Sequence, residues 1–432
     1  MKNMALVLLL GLVGVPSAVS QGRVPEIDGY VTRVKSSSDF DVNGFRVLCG
    51  KDTQTKIGQP QSKAFLSNQG CPQDTPLLGQ PMQIYGTVKK KEQAVEATLI
   101  EAQPIIAGEI SGSAVIDAMS ALDSSGAHSD TLMVRADGYP IHIDSRTEIS
   151  WSAPLNSLNG VKAGDWIEYK GRQRVDGVVE AESAKLSRNT VSDGEEKLRA
   201  RYEFDPAAVP TSEKQSTASM MFIGIKRKRF PPYTDSAMQA RVDAIGAKLV
   251  PAYQRALRDS DPAKINFRFQ VIDTKWFRDA LSLPSGIILV PHQVVERMQN
   301  DSQLATVLAD NMACALEKQQ YRNAPAIEAL SAATWGADVA GIFIPGVGLI
   351  GTGTSIAAQD LATKTEDQSG RVSLGLLHDA GYDLDQAPMA WWLLASRKPE
   401  PTLRIPMPHR AAYLYRALGE NWQNPAADPP KP

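Results

Sequence analysis

The stretch Leu304–Arg322, LATVLADNMACALEKQQYR, decides how the second half of the chain is read. Leu304, Val307, Leu308, Met312, Ala315 and Leu316 recur at three- and four-residue spacing, which gathers them on one broad apolar face and predicts a buried helix over the whole segment. Asp310, Asn311 and Cys314 sit within that frame. Asp310 and Cys314 are one turn apart on the same face, so a single soft ion could meet both, with cysteine as thiolate.

Outward from this helix the elements fall into an order. Upstream, Val242, Ile245, Leu249 and Tyr253 predict a helix from Asp235 to about Leu257, followed by strands at Asn266–Ile272 and Ile287–Val290 and a short helix at Gln293–Met298. Downstream, Ala337–Ala358 (ADVAGIFIPGVGLIGTGTSIAA) is apolar, but Pro345 and its glycines argue for a helical hairpin rather than a membrane span. A downstream helix carries His378, within the stretch Arg371–Pro388, RVSLGLLHDAGYDLDQAP, and a last one runs from Leu403 to Leu418 with Arg410 and Arg416 on it. NPAADPPKP closes the chain as a disordered tail.

Before this part, Asn189 to about Thr217 dissolves into charged and small residues broken by Pro206 and Pro210, and marks a linker. The run Lys226–Arg229 beside Pro231-Pro232 reads as a solvated turn. Further upstream the chain repeats itself. Asp28-Gly29-Tyr30-Val31, the turn Asn43-Gly44 and Thr53 recur as Ile110-Ser111-Gly112-Ser113, the turn Asp137-Gly138 and Thr147. Each copy then shows two glycines seven apart, Gly79 and Gly86 or Gly164 and Gly171, around alternating Met82 and Ile84 or Trp166 and Ile167. Asn-Gly and Asp-Gly turns between short alternating runs predict small all-β barrels. The repeat resembles the OB-like modules appended to exported bacterial proteins, which implies a spacer or docking role ahead of ligand binding, because aromatic residues are sparse in both copies.

With 432 residues the chain is expected to form two or three domains, and a net charge of −2 argues against a nucleic-acid partner held by general basicity. A basic start, an apolar run from Met4 to Val15 and small residues at Ala18 and Ser20 read as a signal peptide, residues 1–20, so the mature chain is expected to be exported, periplasmic or extracellular, with no transmembrane segment. In an oxidising compartment the three cysteines divide: Cys49 and Cys71, about twenty residues apart in one β module, are the expected bridge, and two free thiols are the alternative. Cys314 is the odd one.

The part from about Pro232 to Asn421 resembles the gluzincin zinc metallopeptidases of the HtpX, BepA and CAAX-prenyl-protease type. The resemblance rests on DALSLPSGIILV (Asp279–Val290), on LATVLADNMAC, and on Ala380-Gly381-Tyr382-Asp383 within the stretch from Arg371 to Pro388. It implies an α+β chain, with a mainly helical gluzincin-like domain and a small sheet following the two barrels. The implied divisions are 24–105 and 106–190 for the β modules, 191–218 for the linker, 219–422 for the helical domain and 423–432 for the tail.

The family's metal site carries over position by position. Its first histidine falls on Asp310, its general-base glutamate on Asn311, its second histidine on Cys314 and its third ligand on Gln368, while Gly370 replaces a following aspartate and Arg371 keeps its place. A register slip would bring Glu366 or Asp367 to the third position and restores one carboxylate. Catalytic zinc needs three protein ligands and a base, and neither Asn311 nor Gln368 can supply what was lost. None of the five histidines, His128, His142, His292, His378 and His409, lies at a ligand spacing in this helix.

The expectation is therefore an exported pseudopeptidase without zinc or other cofactor, binding a protein or peptide partner. The strand Ile287, Ile288, Leu289, Val290, read as a sheet edge, is the candidate peptide-binding strand. The alternatives are an active metalloendopeptidase with non-standard ligands, and a structural envelope protein that binds through its β modules.

Overall fold

The repeated turns and glycines shape two barrels of the same design. The computed structural model describes residues 25–58, 65–89, 92–103, 108–119, 131–174, 176–207, 220–223, 226–229, 231–274, 279–325, 356–395 and 407–422. The expected signal peptide and tail lie outside these residues, as does nearly all of Ala337–Ala358.

The first module comprises β1 (Ile27–Ser36), β2 (Asp39–Val42), β3 (Phe45–Leu48), β4 (Gln54–Gly58), β5 (Phe65–Gln69), β6 (Pro81–Lys89) and β7 (Ala94–Ala102). Its strands run β3-β2-β1-β6-β7, and β3 pairs in parallel with β7 to close a five-stranded barrel, leaving β4 and β5 as a flap on β7. The second module has β8 (Glu109–Met119), β9 (Leu132–Ala136), β10 (Tyr139–Ile143), β11 (Glu148–Trp151), β12 (Trp166–Gln173) and β13 (Val179–Ser187), closed in the same way by the parallel pair β10 and β13. Both are OB-like, and closure leaves the barrel strands no open edge.

The sequence repeat has physical causes at each landmark. Asn43 and Gly44 take φ of 49° and 78°, and Asp137 and Gly138 take 55° and 71°, the paired left-handed values of a tight hairpin turn. Gly86 and Gly171 each sit at a register shift, where a Cβ would lie 1.9 Å from Glu96 O or 2.2 Å from Glu180 O. Thr53 and Thr147 donate from Oγ1 to Ala97 O at 2.8 Å and Ala181 O at 2.9 Å, tying the same turn to the last strand in both copies.

Cys49 and Cys71 are bonded, with Cα atoms 5.4 Å apart and a separation of 22 in the chain. Closing a loop of that length stabilises by about 3 kcal/mol, so Cys49→Ser with Cys71→Ser is expected to lower the unfolding free energy of the first barrel by that amount, read from its near-UV signal in urea.

After the barrels come α1 (Asp193–Arg201), β14 (Met220–Ile223), β15 (Lys226–Arg229), α2 (Ser236–Leu249), α3 (Ala252–Ala256), β16 (Arg268–Ile272), β17 (Leu281–Ser282), β18 (Ile287–Pro291), α4 (His292–Arg297), α5 (Asp301–Leu316), α6 (Ile356–Asp379), α7 (Ala387–Leu394) and α8 (Met407–Asn421). The whole is α+β, with a mainly helical second half. Helix α5 is buried on every side from Gln303 to Leu316, enclosed chiefly by α2, α6 and α7 and the small sheet, so its core face is wider than periodicity implied.

Several expectations need correction. The long helix expected over Leu304–Arg322 stops at Leu316, because Lys318 adopts φ of 51°, and helix resumes only at residue 319. That turn delivers the Lys318 ammonium to Glu195 at 2.9 Å and to Thr190 O at 2.8 Å. The expected linker therefore opens with an ordered helix, α1, capped by Ser192 and anchored by buried Glu195. Lys226–Arg229 forms a strand rather than a turn. The helix begun at Asp235 breaks at Val250-Pro251, where proline cannot donate. The last helix, expected to end at Leu418, runs on to Asn421, and its expected first residues, 403–406, lie outside the described residues.

The largest correction concerns Ile287–Val290. The sheet order is β16-β18-β17, so this strand is central, parallel to β16 and antiparallel to β17, and all its residues are buried. It has no free edge to offer a peptide. The neighbouring Ser282 O on β17 accepts from Gln320 Nε2 at 2.9 Å.

Candidate functional site

Asp310 and Cys314 project from α5 toward α6, and α8 brings Arg410 between them. The Asp310 carboxylate accepts from Arg410 Nη2 at 2.5 Å. The same guanidinium is ion-paired to Asp279, just ahead of β17, and to Glu366 on α6, and lies 3.2 Å over the Trp391 ring of α7. All four charged residues of this cluster have nearly inaccessible side chains. Three acids thus converge on one internal cation, at the position where the resemblance places a metal ligand. Burial, and then the like charges of Glu366 and Asp279, push Asp310 well above the ordinary carboxylate range, though Arg410 pulls against them. Burial raises Glu366 as well.

The other three positions are committed elsewhere. Asn311 Nδ2 donates to Val307 O on its own helix at 2.9 Å. Cys314 Sγ lies 3.2 Å from Ser369 Oγ, and burial together with Asp310 and Glu366 pushes its thiol up, against forming the thiolate that a metal needs. Gln368 turns away from Arg410: its Oε1 accepts from Gln319 Nε2 at 3.1 Å and its Nε2 donates to Ser113 O of the second barrel at 3.3 Å. Glu366, weighed as a slipped ligand, does face the cluster, as a partner of the guanidinium. Arg410, Asp279 and Trp391 were not anticipated as site residues.

Around this cluster the two barrels dock in the same manner. In the first, Asn43 Oδ1 accepts from Tyr30 N at 3.1 Å and lies 2.9 Å from His409 Nδ1, while Tyr30 OH donates to Asp367 at 2.9 Å and His409 Nε2 is 3.2 Å from the same carboxylate. In the second, the equivalent turn residue Asp137 accepts from Arg371 Nη2 at 2.7 Å and from Tyr169 OH at 2.9 Å, and Arg371 Nη1 donates to Tyr413 OH at 2.6 Å. Asp367 and Arg371 are one turn apart on α6, and His409 and Tyr413 are one turn apart on α8. Duplicated turns are therefore received by a duplicated spacing. The second barrel adds Val115 N donating to buried Glu317 at 3.2 Å, and Arg135 shared between Asp117 at 2.8 Å and Asp379 at 2.5 Å.

That last triad gives the chain a pH dependence. Burial first, and then Asp379, raises Asp117 to about 6, whereas Asp379, despite its own burial, is drawn down to about 2 by hydrogen bonds from His378 and Arg135. A carboxyl near 3.9 unfolded and near 6 folded holds its proton more tightly in the native state, so its stabilisation is complete below about pH 4 and lost as pH rises through 6. Relative to Asp117→Asn, the wild type should lose thermal stability between about pH 4 and 6, with a constant difference above that window. A flat difference across the window would contradict it.

Among the described residues, His142, Asp144 and Glu180 bring their ligand atoms within 4.8 Å of one another on the second barrel. Each carboxylate already has an arginine, Arg146 at 2.5 Å from Asp144 and Arg174 at 2.9 Å from Glu180. Between the second barrel and α6 lies a cleft of about 470 Å³ bordered by Ser113, Tyr139, Gln319, Arg322, Gln368 and Arg371. Among the described residues no helix is long and apolar enough to cross a membrane.

No curated protein matches the chain. Over residues 115–185, most of the second barrel, the chain is similar to a family described as a domain of unknown function, DUF5666.

Proposed function

We propose that this chain is an exported pseudopeptidase: a gluzincin-like helical part that has kept its packing, lost its metal and base, and binds a protein or peptide partner in the envelope. The observation that carries the reading is the commitment of Asp310 to Arg410 in a closed cluster with Asp279 and Glu366. A metal at Asp310 would have to displace a buried guanidinium and still find a second ligand in a thiol held protonated by its surroundings. This argues against an active peptidase with non-standard ligands. Reading the chain as a structural protein that binds through the hairpin turns of its barrels is disfavoured because both turns are spent on internal docking. The Cys49–Cys71 bond supports export.

Metal analysis of the purified full-length chain is expected to find zinc well below stoichiometry, and an unfolded protein substrate is expected to stay intact. Stoichiometric zinc, with cleavage abolished by Asp310→Ala and Cys314→Ser, would sink the proposal.

A further inference from the structure

If a partner peptide is bound, the strand first suggested for it is closed, since β18 is central and buried. The cleft of about 470 Å³ beside α6 offers another place. It continues into a second hollow of about 650 Å³ over the outer face of β8, β12, β13 and β11, and the two share Ser111, Gly112, Ser113 and Arg322. Arg322 therefore stands at the junction of one long groove.

Its guanidinium is exposed yet fixed. It lies 4.9 Å over the Trp166 ring, and Nη1 donates to Ser113 O at 2.9 Å. The ring is itself held by Trp166 Nε1 donating to Ser113 Oγ at 2.9 Å. No carboxylate among the described residues pairs with Arg322, nor with exposed Lys170 farther along the groove. A planar, preorganised guanidinium with spare N–H groups is suited to a carboxylate in a two-pronged contact.

We propose that this groove binds an extended, acidic peptide segment, one of whose carboxylates is received by Arg322, with Lys170 close to a second. The proposal rests on the partner-binding reading above. The chemistry of the walls selects among ligands. Glu109, Glu148 and Glu168 also border the groove, so a polyanion charged at every unit, such as a nucleic acid, would meet like charge between the two cations, whereas a peptide can carry its few carboxylates only where Arg322 and Lys170 stand. The Trp166 face is covered by Arg322, which removes the stacking platform that a sugar ring or a base would use. The hydroxyls of Ser111 and Ser113 and the amide oxygen of Asn323 remain to meet a peptide main chain.

The test uses the full chain and three fluorescent probes: a Gly and Ser peptide carrying two Glu, the same peptide with Lys for Glu, and a neutral chitin oligosaccharide. The acidic peptide is expected to bind, to lose affinity as salt rises, and to bind at least about tenfold more weakly to Arg322→Gln, with a smaller loss in Lys170→Gln. Far-UV dichroism of each variant checks that the fold is kept. Binding of the basic peptide or the oligosaccharide instead, or acidic-peptide binding that survives Arg322→Gln, overturns the groove assignment while partner binding itself stands. If no probe binds and zinc-dependent cleavage is found, both readings fall.

Discussion

Arg410→Ala is expected to be the most damaging single change in the helical half, costing about 3–5 kcal/mol, because it leaves Asp279, Asp310 and Glu366 buried with no cation between them. A typical domain has only about 5–15 kcal/mol in total, so the variant should unfold at much lower urea or fail to accumulate as folded protein. The loss comes from stranded carboxylates rather than from the charge pairs as such, and this gives the prediction its sharper form. Adding Asp310→Asn to Arg410→Met should recover part of the stability, since the double change removes one of the acids while filling the space with an apolar stem. A thermal midpoint for Arg410→Ala within about one or two degrees of the wild type would mean that the cluster does not hold the helices together.

The second large effect is expected at Arg371. This guanidinium joins Asp137 of the second barrel to Tyr413 of α8 and lies 4.8 Å from the Tyr139 ring centre. Arg371→Met strands Asp137, which is 4% exposed, at a cost of about 3–5 kcal/mol. Because the loss falls at the seam, the second barrel should come away from the helices before either unfolds. One cooperative thermal transition should become two, and proteolysis should open the chain between the second barrel and the helical part first. Asp137→Asn in the same chain should restore much of the single transition. An unchanged single transition in Arg371→Met would show that the seam is held elsewhere.

The barrels were legible because their cues are local. Asn43-Gly44 and Asp137-Gly138 can only be turns of one kind, and Gly86 and Gly171 recur because a carbonyl stands where their Cβ would be. The strands that complete each barrel, Ala94–Ala102 and Val179–Ser187, escaped notice, since Glu96 and Glu101 in one and Glu180, Glu182 and Lys185 in the other dilute the apolar alternation. Ile287–Val290 carries its own sign against an edge: four consecutive apolar residues leave no polar face for water, the mark of a strand covered on both sides. The end of α5 has no such sign, because Glu317-Lys318-Gln319 carries neither glycine nor proline.

The candidate site divides along the same line. That Asp310, Asn311, Cys314 and Gln368 do not make a three-ligand zinc site with a base is plain from residue type alone. What stands there instead is not, because the acids around Arg410 lie as far as 131 and 100 positions away in the chain, and a lone aspartate reads the same whether it meets solvent or a guanidinium. Trp391 offered an aromatic face with no sign of which cation would cover it.

The matched docking of the two barrels has a consequence for how a duplicated module finds its place. Both turns fit the same notch, one helical turn apart, so shape alone would let either copy sit in either seat. Charge makes the seats distinct: an exchange of Asn43 and Asp137 would set a carboxylate oxygen against Asp28 O, to which Asn43 Nδ2 now donates at 3.1 Å, and leave Arg371 facing a neutral amide. The helices act as a keyed socket, and the key is charge: a neutral amide oxygen meets His409 in one seat and a carboxylate meets Arg371 in the other.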